Sequence, residues 1–253
     1  MGFRGVHPRV ALVALCVVVA VATASCGQVL TKQYEYEEEL YLALDGSATL
    51  NVNASVASLV ALRGADLPAD PRARLDRERV RALFASPGAV VRVSLSRRDG
   101  RRFVHASVDV TDVRDLQSIA PLSWSSYRFA REGDVLEFRQ LVGMPKRADV
   151  GDVGWTGKEM VAFRIHVPSK IPFHNAPSRR TERGNILVWE QPLTERLQGQ
   201  PIDIQVQMEP QSILASTLLL FASTILAAAA TFAVVVWWVV RRGRAPAVAG
   251  SNS

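Results

Sequence analysis

Two cysteines, Cys16 and Cys26, are all that the 253-residue sequence contains. Cys16 lies in an apolar leader, so the mature chain has no pair from which to close an internal disulfide, even in an oxidising compartment. Histidine is scarce as well, with four residues and no HExxH motif, and no GxSxG motif is present. Gly157-Lys158 ends a glycine-rich stretch that fails as a phosphate-binding loop. Five residues rather than four separate Gly151 from Gly157, and Glu159 stands where a hydroxyl must reach magnesium. An excess of one charge is also missing from the central region. Of 30 Lys+Arg, five (Arg4, Arg9, Arg241, Arg242, Arg244) sit in the leader and tail, which leaves 25 against all 24 acidic residues, or +1. The high isoelectric point is therefore a matter of topology, and nucleic-acid binding loses its electrostatic motive.

What the chain has in abundance is one uninterrupted apolar run. Ile213 to Val240 is 28 residues without a charge, a glycine or a proline. A bilayer core of about 30 Å needs about 20 apolar residues in helix, so the run is long enough to span with tilt. Backbone groups in lipid are satisfied only internally, which dictates a helix. Trp237, Trp238, Arg241, Arg242 and Arg244 at its end mark a membrane–water interface, with the arginines on the cytoplasmic side.

The other end carries an export signal. Arg4 and Arg9 form a basic segment, Val10 to Ala22 an apolar one too short to span comfortably, and Thr23-Ala24-Ser25-Cys26 a cleavage region. Small residues before a cysteine resemble the bacterial lipobox, which makes Cys26 a lipidation site. Ordinary cleavage after Ala24 would instead leave Cys26 an incidental thiol. The expected organisation is a signal peptide over 1–25, an extracytoplasmic domain over 26–210, a transmembrane helix over 211–240 and a short cytoplasmic tail over 241–253.

Between the anchors the period-two pattern dominates. Tyr34, Tyr36, Leu40, Leu42 and Leu44 read as one strand face, and Asp45-Gly46 as a hairpin turn into Leu50, Val52 and Ala54. The glutamates at 35, 37, 38 and 39 read as a solvated, mutually repelling edge rather than a metal site. Val56, Leu59 and Val60 give a helix stopped by Gly64. Asp70-Pro71 reads as the cap and first turn of an arginine-rich helix running to Phe84. Arg63, Arg72, Arg74, Arg77, Arg79 and Arg81 are open to two readings, a lipid-phosphate site or a solvated helix face. A second hairpin turns at Asp99-Gly100, a short helix carries Val113, Leu116 and Ile119 under a Thr111 cap, and a third hairpin turns at Gly133-Asp134. Residues 143–157 read as a long loop, either a connection or a binding lip with an exposed Trp155. Strands at Val161–Val167, Asn185–Trp189 and Ile202–Met208 complete an α+β domain, mainly antiparallel sheet with short covering helices, followed by the one C-terminal transmembrane helix.

Cys26, Leu44-Asp45-Gly46-Ser47, the segment Phe163-Arg-Ile-His-Val-Pro168 with Asn175, the strand Asn185-Ile-Leu-Val-Trp189 and the final helix with Arg241-Arg242 together resemble the LppM-type bacterial envelope lipoproteins. The resemblance spans nearly the whole chain in order. It implies an extracytoplasmic α/β domain tethered at the membrane, with no catalytic centre to carry over. Pro168-Ser169 replaces the family's Pro-Gly in the late segment.

No enzyme is expected, and no cofactor or metal. His105, Ser107 and Asp109 share a strand face, but alternate residues lie about 6.6 Å apart, twice the reach of a nucleophile–base pair. His166 and His174 read as ordinary histidines. Two functions remain. One is a membrane-proximal domain binding a lipid, glycolipid or other envelope molecule, with Trp124, Met144, Trp155, Phe173 and Trp189 as candidate contacts. The other is an assembly factor contacting another envelope protein, through a sheet edge or the hydroxyls of the span (Ser216, Thr217, Ser223, Thr224).

Overall fold

The computed structural model describes residues 32–178, 185–211 and 213–243. The signal peptide, Cys26 and Arg244 lie outside the described residues. Strands β1 (Tyr34–Leu42) and β2 (Ala48–Ser55) form the first hairpin. Its turn is fixed by Asp45, whose carboxylate accepts from the N–H and hydroxyl of Ser47 at 2.9 and 2.7 Å. Helix α1 (Val56–Arg63) follows at once, capped by Ser55 and closed by Gly64 in the left-handed conformation.

Helix α2 runs only from Arg77 to Phe84, with Asp76 as its cap, later than the sequence pattern places it. Asp70 instead makes a local turn, accepting from the Arg72 N–H at 2.8 Å. The cause is Arg102, whose guanidinium donates to the carbonyls of Pro68, Asp70 and Ala73. The Asp70 carbonyl also takes the Ala73 N–H at 3.1 Å, closing a single turn that goes no further. Strands β3 (Val90–Arg98) and β4 (Arg101–Val110) turn through Asp99 and Gly100, both at positive φ, the two-residue geometry that suits strand twist. Two 3-10 turns, Val113–Ser118 and Ala120–Leu122, replace the expected short helix, and Asp112 rather than Thr111 caps the first.

The remaining elements are β5 (Ser125–Glu132), β6 (Val135–Val142), β7 (Met160–His166), β8 (Phe173–His174), β9 (Ile186–Pro192), α3 (Leu193–Leu197), β10 (Ile202–Met208) and α4 (Ile213–Gly243). One sheet has the order β3-β4-β2-β1-β7-β9, the other β5-β6-β10-β8. Every pairing is antiparallel except β1 with β7. From β7 onwards successive strands alternate between the sheets, which stitches them about a shared core that includes Leu40, Leu50, Val108, Phe138, Ile165, Ile204 and Val206.

The glutamates of β1 are not an edge. β1 is hydrogen-bonded on both sides, and Glu35 and Glu38 are buried. Glu37 and Glu39 face outwards and pair with Arg164 and His166 of β7. The cation of Arg164 and the hydrogen bond from His166 on the neighbouring strand offset the repulsion that the glutamate run has in isolation.

Helix α4 contains an apolar span, Thr217–Arg242, of mean hydropathy 2.4, whose most apolar stretch is nowhere buried against the rest of the protein. A core helix would be covered. At about 1.5 Å per residue α4 exceeds the about 30 Å of a bilayer core, so it is long and apolar enough to cross a membrane.

Candidate binding groove

Four arginines flank the turn at Asp99-Gly100: Arg97, Arg98, Arg101 and Arg102. They are sorted by the pleat and by their partners. Arg101 is buried and turns towards Glu35, with 3.0 Å between charged atoms. Arg98 lies over the Phe103 ring at 4.4 Å. Arg102 is 6% exposed and holds the loop before α2, as above. Its guanidinium has a lowered pKa, first through burial and then through the charge of Arg97 beside it.

Holding that loop creates a groove of about 330 Å³ between it and the β3–β4 hairpin. Leu75, Leu95 and Phe103 supply its apolar surface, and Arg72, Arg74 and Arg97 its rim. These three rim arginines are exposed, and none makes an ion pair with a described residue. Two further cations of the arginine run are paired, Arg79 with Asp66 at 2.6 Å and Arg81 with Glu78 at 2.9 Å, while Arg77 lines a separate trough on the large sheet. Arg63 leaves the set altogether. It is buried, donates to the Pro121 carbonyl and lies over the Trp124 ring at 3.8 Å. The clustering of arginines about a two-residue turn was visible in the sequence, but its meeting with Arg72 and Arg74 required the Arg102 bonds.

A second polar centre lies inside the domain. Across the large sheet, Val93, Ala106, Val52, Glu38, Phe163 and Trp189 are successive register partners, so a carboxylate interrupts an apolar row. Glu38 accepts from Tyr36 at 2.6 Å, from Gln140 of β6 at 3.0 Å and from Trp124 at 3.4 Å. Burial raises its pKa against these bonds and the charge of Arg63. Arg196 is fully buried, donates to the carbonyls of Gly143 and Gln200, and lies 4.9 Å over Trp124. Burial and Arg63 bring its pKa down to about 10. With their neighbours committed to one another, these groups tie the two sheets and the loop after β6 together.

The five apolar candidates are not brought together, and none of them lines the groove. Trp189 is 4% exposed and belongs to the core. Trp124 is half-buried between Tyr36, Phe163 and the two arginines. Trp155 is half-buried rather than an exposed lip, and its N–H donates to Glu35 at 3.2 Å. Its loop is pinned to α1, Lys146 and Ala148 donating to the carbonyls of Leu62 and Ala61. Glu159 accepts from the N–H groups of Thr156 and Gly157 at 2.7 and 2.8 Å. Met144 and Phe173 remain exposed, Phe173 on the two-residue strand β8.

His105, Ser107 and Asp109 each turn to other partners. His105 bonds Asn53 and Ser96 at 2.9 and 2.7 Å, Asp109 accepts from Thr49 and Arg92 at 2.8 Å each, and Ser107 accepts from Arg92. Burial lowers the His105 pKa. At the membrane end, Arg241 lies 5.0 Å over Trp237 and Arg242 3.9 Å over Trp238, cation–π pairs one helical turn apart.

No family model and no curated protein matches the chain. One solved structure does. The chain is similar to the folded domain of Mycobacterium tuberculosis LppM, determined by NMR, at 12% identity and a TM-score of 0.41. The match covers 72% of this chain and 94% of that one.

Proposed function

We propose that the chain is a non-enzymatic envelope lipoprotein whose folded domain, outside the cytoplasmic membrane, binds a lipid, glycolipid or other envelope molecule close to the bilayer. The observation that carries this reading is the junction between β10 and α4. β10 ends at Met208 and α4 begins at Ile213. Five residue steps reach at most about 18 Å. A domain on so short a tether is held at the membrane surface, within reach of what is embedded in it. The positive-inside rule places Arg241 and Arg242 in the cytoplasm and hence the domain outside. In the assembly-factor reading, the Ser223 and Thr224 hydroxyls donate to the Leu220 carbonyl of their own helix at 2.8 Å, which leaves their lone pairs to accept from a partner.

Native mass spectrometry of the full chain, released from a neutral detergent, tests the reading. Lipid adducts that survive extraction and vanish on denaturation are expected. A bare protein mass from every preparation overturns it.

A further inference from the structure

We propose that the groove between the loop before α2 and the β3–β4 hairpin is a recognition site for a phosphate-bearing amphiphile, with Arg72, Arg74 and Arg97 on the anion and Leu75, Leu95 and Phe103 against the adjoining hydrocarbon. The inference deepens the lipid-binding reading above and rests on it. Three observations carry it. The first is charge complementarity: the rim carries three exposed guanidiniums without a carboxylate partner among the described residues, in an exported segment whose net charge is only +1. Like charges held together are unfavourable, and an anion relieves the repulsion. The forked guanidinium suits phosphate oxygens.

The second observation is construction. The loop that bears Arg72 and Arg74 is not a loose surface segment, because Arg102 grips it by three carbonyls from a position 94% buried. Arg102 itself lines the groove, and its buried Nε N–H makes no hydrogen bond within the protein. Rigid placement of the rim lowers the ordering cost of binding.

The third is the lining, which separates an amphiphile from a plain anion. A neighbouring trough of about 340 Å³ on the open face of the large sheet also has two arginines, Arg77 and Arg92. There Asn51, Asn53, Ser94 and Ser107 line the wall, and Arg92 is already neutralised by Asp109 at 2.8 Å. The groove at Arg102 instead offers leucine and phenylalanine beside unpaired cations. A nucleic-acid backbone needs charge distributed along a track, whereas these cations converge on one groove.

The test uses the full chain in neutral detergent micelles. Phosphatidylglycerol, phosphatidylcholine and inorganic phosphate are titrated separately, and retained ligand is read by native mass spectrometry. Phosphatidylglycerol binding is expected to weaken about tenfold or more in the triple variant Arg72→Gln/Arg74→Gln/Arg97→Gln. The control Arg79→Gln/Arg81→Gln should stay within about twofold, since its arginines are already paired. A photoactivatable phosphatidylglycerol with its diazirine near the headgroup should label the peptides carrying Leu75, Leu95 or Phe103 in the unaltered chain, which keeps the test independent of how the variants fold. Equal loss in both variants, labelling elsewhere, or full competition by millimolar inorganic phosphate overturns the site while leaving lipid binding standing. Absence of any bound lipid in the unaltered chain overturns both.

Discussion

A carboxylate in the middle of an apolar row is held there by its partners and penalised by its burial. For Glu38 the penalty is the larger, since its pKa is raised despite bonds from Tyr36, Gln140 and Trp124. The sign of the resulting pH dependence follows. Between the ordinary glutamate value of about 4.3 and its higher folded value, the folded protein keeps a proton that the unfolded chain has lost. Stability contributed by this group is therefore full below that window and falls as pH rises through it. Tyr36, Tyr127, Arg63 and Arg196 face the same site, and none changes charge in the acidic to neutral range. Glu38→Gln should consequently gain thermal stability relative to the unaltered chain as pH rises from 4.5 to 7.5, in melts of the full chain in neutral detergent. A difference that stays constant across that range would show that Glu38 does not titrate there.

Glu35 presents the contrasting case. Its carboxylate is buried against Arg101 and takes the Trp155 N–H, so its charge is compensated. Arg101→Met leaves that charge alone and should cost about 3–5 kcal/mol. Adding Glu35→Gln to it should recover part of the loss, because the other buried carboxylate facing Arg101, Glu159 at 3.8 Å, keeps its bonds from the Thr156 and Gly157 N–H groups. Chemical denaturation of the single and double variants reads the difference, and equal losses in the two would refute the pairing. This contrast was only half legible in the sequence. Alternation already puts Glu38 on the inward face of Tyr36 and Leu40, whereas Glu35 turns inwards through a bulge in β1 between Tyr34 and Tyr36 that no local pattern announces.

Among elements, those governed by local chemistry were readable and those governed by distant partners were not. Asp45-Gly46, Asp99-Gly100 and Gly133-Asp134 each turn a hairpin where their residue types demand it. Alternation located the late strands, but it contains nothing about neighbours, so the parallel pairing of β1 with β7 and the central place of β1 emerged only in the fold. The start of α2 was misread because the partner that holds the Asp70 segment, Arg102, is 32 residues beyond it. The tryptophans pointed to apolar contact in general, and most of that contact turned out to be core. Gly64 shows a local signal at work. It ends α1 at φ +64, and a Cβ there would stand 3.2 Å from Lys146 Cγ. Gly64→Ala should cost about 1–2 kcal/mol, part from the left-handed backbone and part from displacing the loop that Lys146 anchors. A loss confined to a few tenths in denaturant titration would place the glycine outside the forces that end α1.

At the scale of the whole molecule the proposed topology turns on two tethers of unequal strength. An acyl-bearing cysteine adds about 0.8 kcal/mol per buried methylene, and insertion of a spanning helix exceeds what one or two chains supply. Helix α4 offers an exposed apolar surface over Thr217–Arg242, closed by Trp237 and Trp238 stacked under arginines. Cys26→Ala alone should therefore leave the protein wholly in the membrane fraction, although fatty-acid labelling is lost. Truncation after Gln211 should leave it membrane-bound through its acyl group but extractable under milder conditions. Only the two changes together should release the domain in soluble form, outside the cytoplasm, while a reporter fused after Ser253 should report from within. Fractionation with protease accessibility checks each arm. If the doubly altered chain stayed with the membrane, the folded domain itself would have to bind the bilayer, and the arginine-rimmed groove would be the first surface to examine.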